Sequence, residues 1–83
     1  GGEELMFKRI LLENEELIVE INATSNVTIV TDKGSSKMDN VTHVRHKIPH
    51  DRNHIPTIKY LRVEVENGHE RIFSQPIRFI RTN

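Results

Sequence analysis

Four histidines, His43, His46, His50 and His54, are the only side chains grouped closely enough along the chain to invite chemistry. Imidazole nitrogens suit zinc, nickel and copper. The spacing argues against all four meeting. Side chains alternate between faces along a strand, so the odd offset separates His43 from His46. Helical spacing cannot gather them, because Pro49 interrupts the run. A loop could still collect His50, Asp51 and His54, which would make a small independent metal hydrolase. The plainer reading, solvated strand and loop histidines, is preferred here.

The remaining candidates are weaker. Carboxylates are paired at Glu3-Glu4, Glu15-Glu16 and Glu64/Glu66, but acid–base work needs a cleft and separated pKa values. Glu64 and Glu66 share the polar face of a strand with Tyr60 and Arg62, which reads as a solvated face with cross-strand ion pairs. Ser35 and Ser36 follow Gly34 without the Gly-x-Ser-x-Gly frame of a nucleophile elbow. Only four glycines occur, two of them at the start, so no Gly-rich loop can cradle a phosphate. The triplets at Asn22, Asn26 and Asn40 match the N-glycosylation pattern; without a secretion signal they read as asparagines for turns and threonines for strands. Lys59, Arg62, Arg71, Arg78 and Arg81 enrich the C-terminal end, but interleaved glutamates and few aromatics argue against nucleic acid. No catalytic residue, no cofactor-binding residue and no metal ligand is therefore assigned, and no cofactor is expected.

Composition supports that restraint. The chain has 83 residues, which makes one small domain able to bury a single modest core. Twelve basic residues balance twelve acidic ones, so the basic excess of a nucleic-acid binder is missing. There is no cysteine, which removes disulfides and thiolate metal sites and favours a cytoplasmic setting. No apolar run is long enough for a membrane-spanning helix, and no signal peptide is visible. The Gly1-Gly2 start reads as an added or excised beginning of a longer protein.

The elements that must carry these residues are strands. Residues 3–12 (EELMFKRILL) read as a first strand or extended arm, although their composition also tolerates a short helix. Glu13-Asn14-Glu15 is a polar break. Glu16 to Asn22 alternates cleanly, with Leu17, Val19 and Ile21 on one face. Ala23-Thr24-Ser25-Asn26 has turn chemistry, and Val27 to Thr31 is a β-branched strand that would pair with the preceding one. Residues 32–40 read as a loop. From Val41 to Ile48, Thr42, Val44, His46 and Ile48 share one face and Val41, His43, Arg45 and Lys47 the other, until Pro49 ends the strand. Residues 50–57 form a loop. Leu61, Val63 and Val65 then face inward, Asn67-Gly68 signals a type I′ hairpin, and residues 70–74 return. Pro76 breaks the ladder, leaving residues 77–80 as an offset edge strand or a crossing to a second sheet.

This pattern predicts an all-β fold, an Ig-like antiparallel β-sandwich of about six or seven short strands. Residues 1–15 form the arm or first strand and residues 16–83 the sandwich. The expected core is Leu17, Val19, Ile21, Val27, Ile29, Val44, Leu61, Val63, Val65, Phe73, Ile77 and Phe79.

The stretch Tyr60-Leu61-Arg62-Val63-Glu64-Val65-Glu66, then Asn67-Gly68, then Ile72-Phe73-Ser74-Gln75-Pro76-Ile77, resembles a known module. It is similar to the closing β-hairpin of the C-terminal β-sandwich in PHP-type metal-dependent hydrolases, especially the CehA/McbA-like phosphoesterases. Their pattern is an aromatic-hydrophobic-Arg-Val-Glu-Val strand, a turn, then an aromatic followed by Ser-Asn-Pro-Ile. Phe73 stands where Trp is common and Gln75 where Asn is common. In that family the metal ligands belong to the preceding catalytic domain, and the His43 to His54 set does not match its His-x-His pattern. The resemblance therefore implies an accessory domain that is not itself an enzyme. Its partner would be the catalytic domain of the same polypeptide, with no nucleic acid and no membrane, and the isolated domain would be a monomer. A free-standing protein- or ligand-binding module is the alternative.

Overall fold

The computed structural model describes residues 4–80. They form six strands: β1 (Phe7–Glu13), β2 (Glu16–Thr31), β3 (Gly34–Lys47), β4 (Tyr60–Glu66), β5 (Arg71–Phe73) and β6 (Ile77–Arg78). All pairings are antiparallel and all belong to one continuous sheet. The expected all-β fold is present, as a small sandwich- or barrel-like sheet curled on itself into a half-barrel. Glu3 and Arg81 lie outside the described residues.

Everything hangs on β2. It is a single strand of 16 residues, not two strands joined by a turn at Ala23 to Asn26. Its inward positions keep one phase throughout, from Leu17, Val19 and Ile21 through Ala23 and Ser25 to Val27 and Ile29. Ala23 and Ser25 are small where the pairing with β3 loses register, and the buried Ser25 hydroxyl is satisfied by donating to the Ala23 carbonyl at 2.9 Å. Residues that look like turn chemistry are thus the inner lining of a bend. The pairing with β3 is irregular at this point: Glu20 pairs with His43, and the next matched pair is Ser25 with Val41. Extra residues on one strand bend it and increase its twist.

That bend lets two partners share the same edge of β2. β1 pairs with residues 16–21, and β4 with residues 26–31. Strand β3 runs along the opposite edge for both halves. It begins at Gly34, so the expected loop over residues 32–40 is in fact a tight turn and half a strand. Asn40, with φ of 55°, and the register shifts on either side of the Ser25–Val41 pair break the alternation of β3. Val41, expected outward, consequently packs on the core.

Turns also fell in other places than expected. Positive φ at both central residues, the I′ requirement, occurs at Asn14 and Glu15 between β1 and β2 (52° and 64°). Residues 67–70 instead make a longer loop. The Asn67 carboxamide oxygen accepts from the His69 and Glu70 N–H groups, and the Glu70 carbonyl accepts from the Asn67 N–H.

The core comprises Leu5, Leu17, Val19, Ile21, Val27, Ile29, Val44, Ile48, Ile58, Leu61, Val63 and Val65, with Ile77 and Phe79 packed at its margin. Phe73 is the one clear error in the expected set: it is 56% exposed. Its partner across the ladder is Glu64, on the outer face, while Ile72 opposite Val65 takes the inward position. Leu5, Ile48 and Ile58 belong to the core without being in the expected set, although Ile48 shares the expected face of Val44.

Residues 71–78 stay on the β4 edge and do not cross to another sheet. Glu64 pairs with Phe73 and Leu61 pairs with Ile77, so Ser74, Gln75 and Pro76 stand opposite Arg62 and Val63. The extra residue is a β-bulge, one of the few places a sheet tolerates proline.

Candidate functional site

The loop between β3 and β4 is built by its own polar groups. Asp51 is its keystone: one carboxylate oxygen accepts from the N–H groups of Asn53 (2.8 Å) and Ile55 (3.1 Å). The Asp51 N–H donates to the Ile55 carbonyl, and the Thr57 N–H to the Pro49 carbonyl, each at 2.9 Å. His50 and Pro56 form an isolated bridge between the two arms. A local hairpin results, and it delivers Ile48 and Ile58 to the core.

This loop brings two of the four histidines together. Nδ1 of His50 and Nδ1 of His54 each lie 3.4 Å from the same Glu15 carboxylate oxygen. His50 is mostly buried, 14% exposed in its side chain, and its Nδ1 also meets the Ile48 carbonyl; His54 is 83% exposed. Glu15 in turn accepts the Ile48 N–H on its own carbonyl at 2.9 Å. The β1–β2 turn therefore docks on the β3–β4 loop. His43 and His46 stay on β3, opposite Glu20 and Leu17, on different faces as the odd spacing requires. Among the described residues, no group of three or more histidines and carboxylates is arranged to hold a metal ion.

The other candidates are occupied in structure. Glu66 accepts from the Asn26 side-chain amide at 2.8 Å and from the Gly68 N–H at 3.1 Å. The Asn26 bond, first among these causes, holds its carboxyl below the ordinary value. Glu64 lies 3.3 Å from the Arg62 guanidinium. Ser35 and Ser36 are strand residues facing Val30 and Ile29. Asn22 uses both ends of its amide, accepting from the Met6 N–H and donating to the Glu4 carbonyl, at 2.8 and 2.7 Å. Asn26 similarly accepts from the Asn40 N–H at 3.1 Å. All three asparagines stand within strands, Asn22 and Asn26 on β2 and Asn40 on β3, not in the turns expected for them.

Two grooves mark the surface. One, about 800 Å³, lies over the β2 bend between Met6, Lys8, Glu20 and His43, and its walls carry both charges. The second, about 540 Å³, is more apolar. Ile55, Pro56 and Ile58 form one side, with Phe79 and Ile80 on the other. Lys59 and Arg78 also line it. Of the basic residues singled out in the sequence, these two come together, while Arg62 is drawn to Glu64. The apolar half of this groove was not foreseen, and its only sequence signal is the pair of Ile-Pro steps that fix the loop.

No family model, curated protein or solved structure matches the chain.

Proposed function

We propose that this chain is a non-catalytic accessory module that packs on a metal-dependent phosphoesterase or hydrolase domain of the same polypeptide. The observation that carries this reading is the step at Ser74-Gln75-Pro76. It lies within the stretch that carries the resemblance, and its residues perform structural work: the Ser74 hydroxyl accepts the Val63 N–H at 2.8 Å. The polar residues that could have carried chemistry, Asp51, Asn22, Asn26 and Glu66, are likewise engaged in holding backbone segments.

The alternative, a free-standing protein- or ligand-binding module, is favoured by one feature, the apolar groove beside Ile55 and Ile80. Carbohydrate is the least suitable ligand, because the chain has no Trp and one Tyr to stack on sugar rings. Among the described residues no helix is long and apolar enough to cross a membrane; a cytoplasmic location is part of the proposal.

The test is an assay of the isolated chain against model phosphoesters with added manganese or zinc. The accessory reading expects no turnover above the metal-only control. Robust turnover, abolished by His50→Ala or His54→Ala, would overturn it and favour an independent hydrolase at His50, Asp51 and His54.

A further inference from the structure

We infer that the groove between the β3–β4 loop and residues 78–80 receives an extended partner segment, an apolar side chain flanked by carboxylates. The inference rests on the packing role proposed above and identifies the surface that role would use.

The first argument is apolar exposure. Among the described residues, Ile55 and Ile80 are exposed large hydrophobics, at 38% and 82%, and both line this groove. The other such residues, Met6, Leu12 and Phe73, line none of its walls. Two of the five exposed large hydrophobics thus meet in one concavity beside polar residues, an arrangement that an interaction site presents.

The second argument is charge. Lys59 and Arg78 both line the groove, no acidic residue does, and neither cation forms an ion pair with a described residue. Arg9, Arg45 and Arg62 each meet a glutamate, while Lys8, Lys47, Arg52 and Arg71 also show no ion pair with a described residue; Lys59 and Arg78 differ in standing together beside an apolar trough. Cations left without carboxylates beside an apolar trough call for a partner that brings both.

The third argument is rigidity. The Lys59 N–H donates to an Asp32 carboxylate oxygen at 2.8 Å, and its carbonyl accepts from the Phe79 N–H at 2.9 Å. Tyr60 pairs with Arg78 in the sheet. Both cations thus stand on fixed backbone, so binding has only their side chains to order. A membrane surface fits less well. Anionic lipid recognition uses clusters of roughly four to eight basic residues on an accessible face, whereas this is a concave groove with two in a chain of zero net charge.

The experiment is amide chemical-shift mapping of the chain with two blocked synthetic peptides, Asp-Leu-Phe-Leu-Asp and Lys-Leu-Phe-Leu-Lys. The acidic peptide should shift the amides of Ile55, Thr57, Lys59 and Phe79 and bind about tenfold tighter than the basic one, a preference that added salt erodes. The double variant Lys59→Glu with Arg78→Glu changes exposed side chains only, keeps the fold, and should reverse that preference. Equal response to both peptides, or shifts elsewhere, would overturn the inference. So would shifts at these amides that depend on protein concentration alone, which assign the groove to a second copy, or that need phosphatidylserine vesicles, which assign it to a membrane. The two proposals fail separately. Peptide binding here without an adjoining catalytic domain removes the accessory role and keeps the groove; an adjoining catalytic domain with a silent groove does the reverse.

Discussion

Ser74 and Val63 exchange two hydrogen bonds, but one of them is made by a side chain. The Ser74 N–H donates to the Val63 carbonyl at 2.8 Å, as in a regular ladder. The Val63 N–H donates to the Ser74 hydroxyl, also at 2.8 Å, in place of a backbone carbonyl. The hydroxyl thereby lets the chain enter the bulge at Pro76 without leaving a central strand unsatisfied. Ser74→Ala should cost about 1–3 kcal/mol, the penalty for an orphaned buried donor. Urea denaturation checks this, and a loss within measurement error would show that water replaces the hydroxyl freely.

Leu61 and Phe73 are both large, apolar and on paired strands, yet only one belongs to the core. Leu61 is fully buried and Phe73 is mostly exposed. Leu61→Ala should therefore destabilise by about 2–5 kcal/mol. Phe73→Ala should stay within about 0.5 kcal/mol. Comparable losses for the two would mean that β5 presents its other face to the core.

Gly34 has φ of +136° and Gly68 +93°, and a Cβ built at either meets nothing within 4 Å. Substitution there is opposed by the backbone alone. Alanine at either position should lower stability by about 1 kcal/mol or more. Thermal unfolding measures it, and a stabilised variant at Gly34 would place the β2–β3 turn in another conformation.

Asp32 and Glu66 have carboxyls held below their ordinary values of 3.8 and 4.5, chiefly by the Lys59 N–H and by the Asn26 side-chain amide respectively. A depressed folded pKa contributes stability above the unfolded value and loses it as pH falls through the folded one. The double variant Asp32→Asn with Glu66→Gln should accordingly be less stable at neutral pH. The gap to the parent should narrow as pH falls below about 4.5, where the unfolded carboxyls begin to protonate, and close below the depressed folded values. Denaturation across that range is the check, and a gap independent of pH would remove both residues from the acid response.

Glu15, His50 and His54 meet through a carboxylate already placed between two imidazoles. Zinc titration followed by amide shifts should leave the resonances around these residues unmoved at stoichiometric metal. Saturable shifts at His50 and His54 would establish a metal site there.

Much of the fold could be read from alternation alone. Leu17 to Ile21, Val27 to Ile29 and Leu61 to Val65 face the core as their spacing requires, because a strand has no freedom to change phase without a defect. The failures have physical causes. Ala23 and Ser25 looked like a turn because small polar-flanked residues serve turns and tight bends equally. The start of β3 looked like a loop because an edge strand with one exposed face needs few apolar residues. Pro76 was ambiguous, since proline marks both a bulge and a strand end. The groove was largely illegible. Residues 55–59 and 78–80 are far apart in sequence, and the Lys59–Phe79 backbone bond that joins them leaves no trace in composition.

The most direct test of the accessory role is the protein sequence encoded immediately upstream of Gly1. The account predicts, in the same reading frame, a domain rich in histidine and aspartate with a His-x-His metal-binding pattern. A start codon directly preceding this chain, with no such domain attached, would contradict it.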